Sequence, residues 1–173
     1  RGKARRAEKY VRDENLGTLI KSKMNDLVGL YDLILFEVPP TFSNIIASAY
    51  IASDIVVIPT FPDSWSLASV MLTIEDIQEE SKKWQLKSPD IRVILNKYRS
   101  DRTASKEAWA LMMREFGNYV LPFQIKESAD LQNSINDGKS LFETRSPKVI
   151  RESINMLADL VCPLTTKDQL VLQ

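Results

Sequence analysis

The chain of 173 residues contains no histidine and only one cysteine, Cys162. The missing histidine excludes Ser-His-Asp and Cys-His catalysis by these residues, and it removes the usual zinc ligand. A single cysteine cannot form an internal disulfide or build a cysteine-rich zinc site. These residues therefore do not carry the common hydrolase triads or a structural zinc centre.

Charge and long apolar runs are equally uninformative about partners. Lysine plus arginine number 23 and aspartate plus glutamate also 23, so any binding to nucleic acid or membrane has to come from a local patch. The longest apolar stretch, residues 45–58, is interrupted by Ser48, Ser53 and Asp54, and it is too short to span a bilayer. The basic start has no apolar segment typical of a secretory signal. We expect a cytoplasmic protein with no membrane partner.

The five glycines are scattered and form no glycine-rich loop. Gly138-Lys139-Ser140 ends like a phosphate-binding loop, but no glycine lies five residues earlier and no strand leads into it. We therefore interpret these three residues as a turn.

Residues 31–41, YDLILFEVPPT, organise the rest of the chain. Their continuous apolar run predicts a strand over residues 31–37 that is buried on both faces, as in a parallel sheet. Pro39 and Pro40 end that strand because proline cannot donate to a β-ladder. Glu37 is then a lone carboxylate at the carboxyl end of a strand, where ligands bind in open α/β sheets.

Further apolar runs predict strands at residues 54–59, 91–95 and 119–125. Amphipathic or small-residue patterns predict helices at residues 15–28, 41–52, 64–84, 105–116, 128–135 and 146–161. The alternation predicts an α/β fold with a mostly parallel sheet and helices on both faces. We expect one domain over residues 1–173, with an exposed basic lead-in at 1–14 and a tail at 164–173. The inward face predicted for the helix at 64–84 consists of Trp65, Ala68, Met71, Leu72, Ile74 and Ile77.

Residues 31–70 resemble the second half of the ParA/MinD-type P-loop ATPases. The shared features are a Tyr-Asp strand, an acidic residue, a Pro-Pro pair, an alanine-rich helix and an apolar strand ending in proline. Asn96-Lys97, the loop Asp101-Arg102-Thr103 and residues 120–143 continue the resemblance in register. It covers about residues 31–160.

The resemblance implies a partition ATPase that serves plasmid or chromosome segregation. Members of this family bind ATP and Mg²⁺, form ATP-dependent homodimers, bind DNA without sequence specificity and respond to a ParB-like partner. The resemblance also implies individual roles. Glu37 stands where the family has the aspartate that holds a water of the magnesium ion, so it is the expected catalytic and metal residue. The expected cofactor-binding residues are Pro39 and Pro40 beside the γ-phosphate, and Asn96, Lys97, Ile125 and Lys126 around the adenine.

Three departures from the family pattern change the expected activity. Glu37 replaces aspartate, and its additional methylene moves the carboxylate by about 1.5 Å. Because Mg²⁺ tolerates little change in its distances and a displacement of about 1 Å can cost roughly a hundredfold in rate, we expect slow hydrolysis. Lys126 stands where the family often has proline. The family's glycine-rich lysine loop is missing, so we expect this chain alone to be inactive and ATP hydrolysis only if such a loop precedes it.

DNA binding would rest on phosphate contacts from exposed cations. The candidates are Lys82, Lys83, Lys87, Arg99, Arg102, Lys148 and Arg151. Two other functions remain open. One is a non-catalytic ParA-like binding or regulatory module that lacks the phosphate loop. The other is a MinD-like positioning ATPase at membranes, although that branch ends in a basic amphipathic helix unlike residues 162–173.

Overall fold

The computed structural model describes residues 18–27, 29–39, 43–144 and 147–162. The helices in these residues are α1 (Leu19–Met24), α2 (Asn44–Ala52), α3 (Ser64–Lys83), α4 (Thr103–Phe116), α5 (Ala129–Asn136) and α6 (Lys148–Val161). The strands are β1 (Ile55–Thr60) and β2 (Asp90–Leu95). This order confirms the predicted α/β class. Within these ranges, no helix is long and apolar enough to cross a membrane.

The two strands pair in parallel. The Asp90 N–H donates to the Asp54 carbonyl over 2.9 Å, and the Asn96 N–H donates to the Thr60 carbonyl over 2.8 Å. Both strands therefore run in the same direction with a constant offset, which confirms the predicted parallel sheet. Val93, Ile94 and Leu95 are consecutive and all buried, as expected for a strand covered on both faces.

Residues 119–127 run beside β2 and only partly form the strand predicted at 119–125. Three main-chain hydrogen bonds of 2.8–2.9 Å join the two segments: Val93 N–H to Tyr119 O, Leu121 N–H to Val93 O and Ile125 N–H to Leu95 O. The pairing amounts to two isolated parallel bridges, Val93 with Val120 and Tyr98 with Lys126. The register changes between them, because Val93 and Leu95 are two residues apart whereas their donors Leu121 and Ile125 are four residues apart.

The prediction of a central buried strand at residues 31–37 is wrong. Residues 33–39 form no strand, and the side chain of Leu35 is 81% exposed. Leu33 and Ile34 are exposed as well. A parallel strand is stable only when neighbouring strands satisfy its backbone N–H and C=O groups. Among the described residues, the sheet contains only β1 and β2, and an apolar run cannot supply missing neighbours.

The chain divides into two compact units. The first comprises the described residues of Arg1–Val56 and Met71–Ile91, and the second those of Val57–Val70 and Arg92–Gln173. In the first unit, α1 packs on α2, and the Ile20 N–H donates to the Ser48 hydroxyl over 3.1 Å. Ala47, Ser48 and Ala49 are buried, so small side chains line this helix where another element covers it. The single-domain organisation stays a prediction.

The core of the second unit lies between residues 119–127, β2 and α6. Ile94, Leu121 and Ile125 form its buried centre, and the partly buried side chains packed against them are Val57, Phe123, Ile154, Leu157 and Leu160. The buried Ser153 hydroxyl donates to the Gln124 carbonyl over 3.1 Å, which ties α6 to the main chain of the third segment.

The bounds of α3 were predicted well, but its buried face was not; α1, predicted over residues 15–28, is a helix only over Leu19–Met24. Ile74 and Ile77 are buried as predicted, whereas Ala68, Met71 and Leu72 are exposed and Trp65 is 86% exposed. The buried stripe is instead Leu67, Val70, Ile74, Ile77 and Ser81. Both sets recur at intervals of three and four residues, so periodicity alone could not choose between the two faces.

Two leucines on α3 test this assignment directly. Leu67 is 5% exposed and Leu72 is 62% exposed. We expect Leu67→Ala to lower the free energy of unfolding by about 2–5 kcal/mol because it leaves a cavity. Leu72→Ala should change it by less than about 0.5 kcal/mol, as for an ordinary surface substitution. Urea denaturation measures both. Equal losses in the two variants would contradict the assigned buried face.

Asp63 caps α3. Its Oδ1 accepts the Ser66 N–H over 2.8 Å and its Oδ2 accepts the Ser66 hydroxyl over 2.6 Å. These hydrogen bonds, led by that of the Ser66 side chain, lower the pKa of Asp63. The charged cap is favoured in the folded state, so its contribution to stability is present above the ordinary aspartate pKa of about 3.9 and is lost as the pH falls through the lower folded-state pKa.

The melting temperatures of wild type and Asp63→Ala should therefore differ most near neutral pH. We expect the difference to narrow as the pH falls below the ordinary aspartate pKa. Asp63→Asn keeps one acceptor oxygen but does not titrate, so it serves as the control for the cap itself. A difference between wild type and Asp63→Ala that is independent of pH would show that the charge of Asp63 does not matter.

Candidate functional site

The carboxyl ends of three parallel segments lie along one edge of the second unit. β1 ends at Thr60, β2 is followed by Asn96, and the third segment ends at residues 125–127. The main-chain hydrogen bond from Asn96 to Thr60 joins the first two ends. Ligands of open α/β sheets bind at this edge, so it is the place to look for a site.

The structure brings together four residues that the resemblance assigned to the adenine. The Tyr98 N–H donates to the Ile125 carbonyl over 3.0 Å, and the Glu127 N–H donates to the Tyr98 carbonyl over 3.1 Å. These two bonds hold the Asn96-Lys97 turn beside the Ile125-Lys126 turn. Ile125 is buried, Asn96 is half-buried, and Lys97 and Lys126 are exposed. Their role toward a nucleotide stays a prediction.

Asn96 and Lys126 present polar groups at this edge. The Asn96 Oδ1 accepts the Lys97 N–H over 2.9 Å, which supports the left-handed backbone of Lys97 at a φ of 53°. Within the described ranges, the Asn96 Nδ2 has no partner. The two main-chain hydrogen bonds of Tyr98 are to Ile125 and Glu127, which flank Lys126. The Lys126 N–H and C=O therefore take no part in this pairing.

Thr60 adds a third polar group at the end of the neighbouring strand. Its side chain is 3% exposed, and its hydroxyl has no hydrogen-bond partner among the described residues. A buried hydroxyl without a partner costs about 1–3 kcal/mol. We call the Thr60 hydroxyl, the Asn96 Nδ2 and the Lys126 main chain the polar edge. These polar groups lie at the ends of neighbouring segments along the same edge of the sheet.

A cavity of about 200 Å³ opens at the same end of the second unit. Its lining includes Phe61, Lys97, Arg99, Arg102, Ser105 and Glu127, and we call it the cation cavity. The Lys97 Nζ lies 5.1 Å from the centre of the Phe61 ring. The Ser105 hydroxyl is buried and accepts the Arg99 N–H over 3.3 Å, which fixes the backbone of the loop before α4.

Arg99 is held by two carboxylates. Its Nη2 lies 2.8 Å from the Asp101 Oδ2 and its Nε 3.2 Å from the Asp101 Oδ1, which makes a bidentate pair. Its Nη1 also lies 3.5 Å from the Glu127 Oε2. Through its hydrogen bonds Arg99 lowers the pKa of Asp101, and Asp101 in turn raises the pKa of Arg99. Both carboxylates are therefore engaged with Arg99.

The residues expected around the phosphates lie in the first unit. Glu37 and Pro39 are exposed within the irregular residues 33–39, and Pro40 lies outside the described residues. Within the described ranges, no group of three or more acidic, histidine or cysteine side chains could hold a metal ion. Glu37 is therefore a single carboxylate, which fits an indirect contact through water better than a protein cage. Its metal and catalytic roles stay predictions.

The seven cations proposed for DNA fall into two groups. Lys83 pairs with Glu80 over 3.1 Å, Lys148 with Glu152 over 3.5 Å, and Arg99 with its two carboxylates. Three of the others, Lys82, Lys87 and Arg102, are exposed and have no ion pair in the described part of the chain. Arg151 is half-buried. Lys82, Lys83 and Lys87 belong to the first unit, and the other four belong to the second.

Sequence reasoning missed Thr60, Phe61, Ser105 and Glu127. Thr60 and Phe61 directly follow a correctly predicted strand, and Glu127 directly follows the predicted Ile125-Lys126 turn. Their positions after strand ends could have identified them. The pair between Arg99 and Glu127 joins residues 28 apart, and no local spacing reports such a contact.

A parallel sheet with helices places this chain in the class of α/β proteins, whose ligands commonly bind at the carboxyl edge of the sheet. Comparison with known proteins narrows this class. A family model described as an AAA domain matches residues 5–88. The cell division protein PomZ of Myxococcus xanthus is 19% identical over 144 residues, which cover 83% of this chain and 45% of PomZ.

A ParA family protein of Mycoplasma pneumoniae is 28% identical over 89 residues, which cover 51% of this chain and 30% of that protein. The structure of an ATP complex of a Cyanothece McdA variant has a TM-score of 0.78 at 20% identity, covering 93% of this chain and 64% of McdA. The chain is therefore similar to ParA family proteins in sequence and to McdA in fold. It spans about half or less of the length of these two curated relatives.

The orphaned hydroxyl of Thr60 yields a stability test. We expect Thr60→Val to raise the free energy of unfolding by about 1 kcal/mol, because it replaces a buried, unpaired hydroxyl with a methyl group of similar size. Ser105→Ala is the opposite case, since it removes the acceptor of the Arg99 N–H and should lower stability by about 1 kcal/mol. Urea denaturation measures both variants. A loss of stability in Thr60→Val would mean that the hydroxyl has a partner.

Proposed function

We propose that this protein is a ParA-like partition or positioning ATPase in which the described residues recognise the base of ATP. The observation that carries the proposal is the polar edge at the carboxyl end of the parallel sheet. A buried hydroxyl at the end of β1, an amide donor after β2 and the main chain of Lys126 lie along this edge. The ATP complex of the related McdA fold supports the choice of ATP as ligand.

The base would be read by hydrogen bonds to the polar edge. An asparagine amide can pair with adenine through one donor and one acceptor. The Asn96 Nδ2 is available for this role, and its Oδ1 has a second lone pair besides the one that accepts the Lys97 N–H. Ile125 would supply the apolar surface beside these groups.

Among the described residues, contacts to phosphate and magnesium would come from the first unit. Pro39 and Pro40 would lie beside the γ-phosphate, and Glu37 would accept a hydrogen bond from a water of the magnesium ion. Magnesium keeps several of its waters and commonly binds through one or two carboxylates plus substrate phosphates. Glu37 would orient a water at its carboxylate, and Mg²⁺–ATP, when bound, would supply the phosphoryl chemistry.

The cellular role follows the family. We propose an ATP-dependent homodimer in the cytoplasm that binds DNA without sequence specificity, answers to a ParB-like partner and serves plasmid or chromosome segregation. Support comes from relatives named as ParA family and cell division proteins. The MinD-like alternative depended on the end of the chain, and residues 163–173 lie outside the described part.

Asn96→Asp tests base recognition. It keeps an acceptor for the Lys97 N–H but removes the amide donor, so the turn is retained while one hydrogen bond to the base is lost. In the full-length protein we expect ATP affinity to fall by about tenfold, the scale of one net hydrogen bond. Titration with a fluorescent ATP analogue measures it. Asn118→Asp, an exposed position after α4, carries the same change of charge and should bind like wild type. Equal affinity of both variants would refute the role of Asn96.

Glu37→Asp tests the catalytic assignment. It returns the carboxylate to the length found in the family, so we expect ATP hydrolysis by the full-length protein to rise by up to about a hundredfold. ATP affinity should not change, and Glu37→Gln should abolish hydrolysis. A steady-state phosphate-release assay measures all three proteins. ATP binding without hydrolysis in wild type and in Glu37→Asp would instead support the non-catalytic regulatory module.

A further inference from the structure

Two turns of the second unit carry groups of the polar edge. Asn96 lies in the turn after β2, and Lys126 lies in the turn at the end of the third segment. The two turns are far apart in the sequence, so their polar groups can meet one ligand only if the fold holds the turns in a fixed relation. A binding site needs its groups within about 0.5 Å of the productive geometry.

Main-chain hydrogen bonds align the two turns as far as Tyr98. The Tyr98 N–H donates to the Ile125 carbonyl over 3.0 Å, and the Glu127 N–H donates to the Tyr98 carbonyl over 3.1 Å. The bridge between Tyr98 and Lys126 is the last pairing of these segments among the described residues. Any further connection between the two turns therefore has to come from side chains.

The side chain of Arg99, the next residue, makes that connection. Its Nη1 lies 3.5 Å from the Glu127 Oε2, which joins the segment after β2 to the end of the third segment. On its other side, Arg99 makes the bidentate pair with Asp101, at 2.8 Å and 3.2 Å. One guanidinium thus lies between a carboxylate of its own loop and a carboxylate of the other turn.

Arg99 is also held through its backbone. Its N–H donates to the buried Ser105 hydroxyl over 3.3 Å, and its carbonyl accepts the Arg102 N–H over 3.2 Å. An exposed ion pair contributes little when two free side chains must be ordered to form it. Here the pair with Asp101 and the backbone contacts already order Arg99, and its planar fork loses less freedom for each hydrogen bond formed. The contact with Glu127 therefore requires little additional ordering.

We propose that Arg99 and Glu127 are positioning residues for base recognition. Their ion pair holds the Asn96-Lys97 turn against the Ile125-Lys126 turn and so aligns the polar edge with the base. This role rests on the base recognition proposed above, and neither side chain has to touch the nucleotide. Arg99 is one of the seven cations considered for DNA, and its two carboxylate partners commit it to this internal role instead.

Single neutralising variants of the full-length protein test this role. We expect Arg99→Gln and Glu127→Gln each to lower ATP affinity by about threefold, within the range of one exposed ion pair. The preference for ATP over GTP should fall by a similar factor, because a displaced polar edge no longer distinguishes the bases as well. Displacement of a fluorescent ATP analogue by ATP and by GTP measures both quantities. A general disturbance of the fold would weaken the two nucleotides alike.

The double variant shows whether the two side chains act through one contact. If they do, Arg99→Gln combined with Glu127→Gln should bind ATP no more weakly than Arg99→Gln alone, whereas independent effects would multiply to about ninefold. Arg114→Gln and Glu115→Gln are the matched controls, because they remove an exposed pair of 2.7 Å on α4. Both control variants should remain within about twofold of wild type.

The outcomes separate the positioning role from base recognition itself. If Asn96→Asp weakens ATP binding but the Arg99 and Glu127 variants do not, base recognition stands and the positioning role is overturned. Losses that multiply in the double variant, or that affect ATP and GTP equally, also overturn it. A wild type that binds no ATP, or binds ATP and GTP equally well, would overturn base recognition and the positioning role together.

Discussion

Parallel hydrogen bonding along β2 is the constraint on which the second unit depends. The residue after this strand donates to Thr60 on one side, and Val93 and Leu95 exchange hydrogen bonds with residues 119–125 on the other. Because all three segments run in the same direction, their carboxyl ends meet at one edge. The polar edge and the cation cavity are both consequences of that alignment. Without this parallel alignment, Asn96 and Lys126 would not lie beside each other.

Sequence patterns predicted β1 and β2 but not the fate of residues 31–37. All three are short apolar runs, and they differ in whether other segments offer backbone groups to pair with. β2 has such neighbours on both sides, whereas residues 33–39 are mostly exposed and have no strand pairing within the described ranges. An apolar run indicates which residues are favourable to bury, but a strand forms only where a neighbouring segment pairs with its backbone. The same limit applies to α3, where two stripes had equal periodicity.

Charge illustrates the difference between composition and placement. The chain is neutral as a whole, and composition indicated no polyanionic partner. The structure shows that Arg99, Lys83 and Lys148 are matched by nearby carboxylates while Arg102 has no such ion pair among the described residues. Exposed ion pairs contribute little to stability, but they decide which cations remain available to a ligand. The contact between Arg99 and Glu127 is long-range, so the sequence could name the cations without ranking them.

Two energetically unfavourable local features occur together at the carboxyl edge of the sheet. The Thr60 hydroxyl is buried without a partner among the described residues, and Lys97 has a left-handed backbone that non-glycine residues rarely adopt. Neither feature improves the packing of β1 or β2, so stability of the empty fold does not explain them. Costs of this kind persist mainly where function requires a particular group in a particular place. Thr60 precedes Phe61 and Lys97 follows Asn96, so both features fall at the carboxyl edge of the sheet, where ligands bind in open α/β folds.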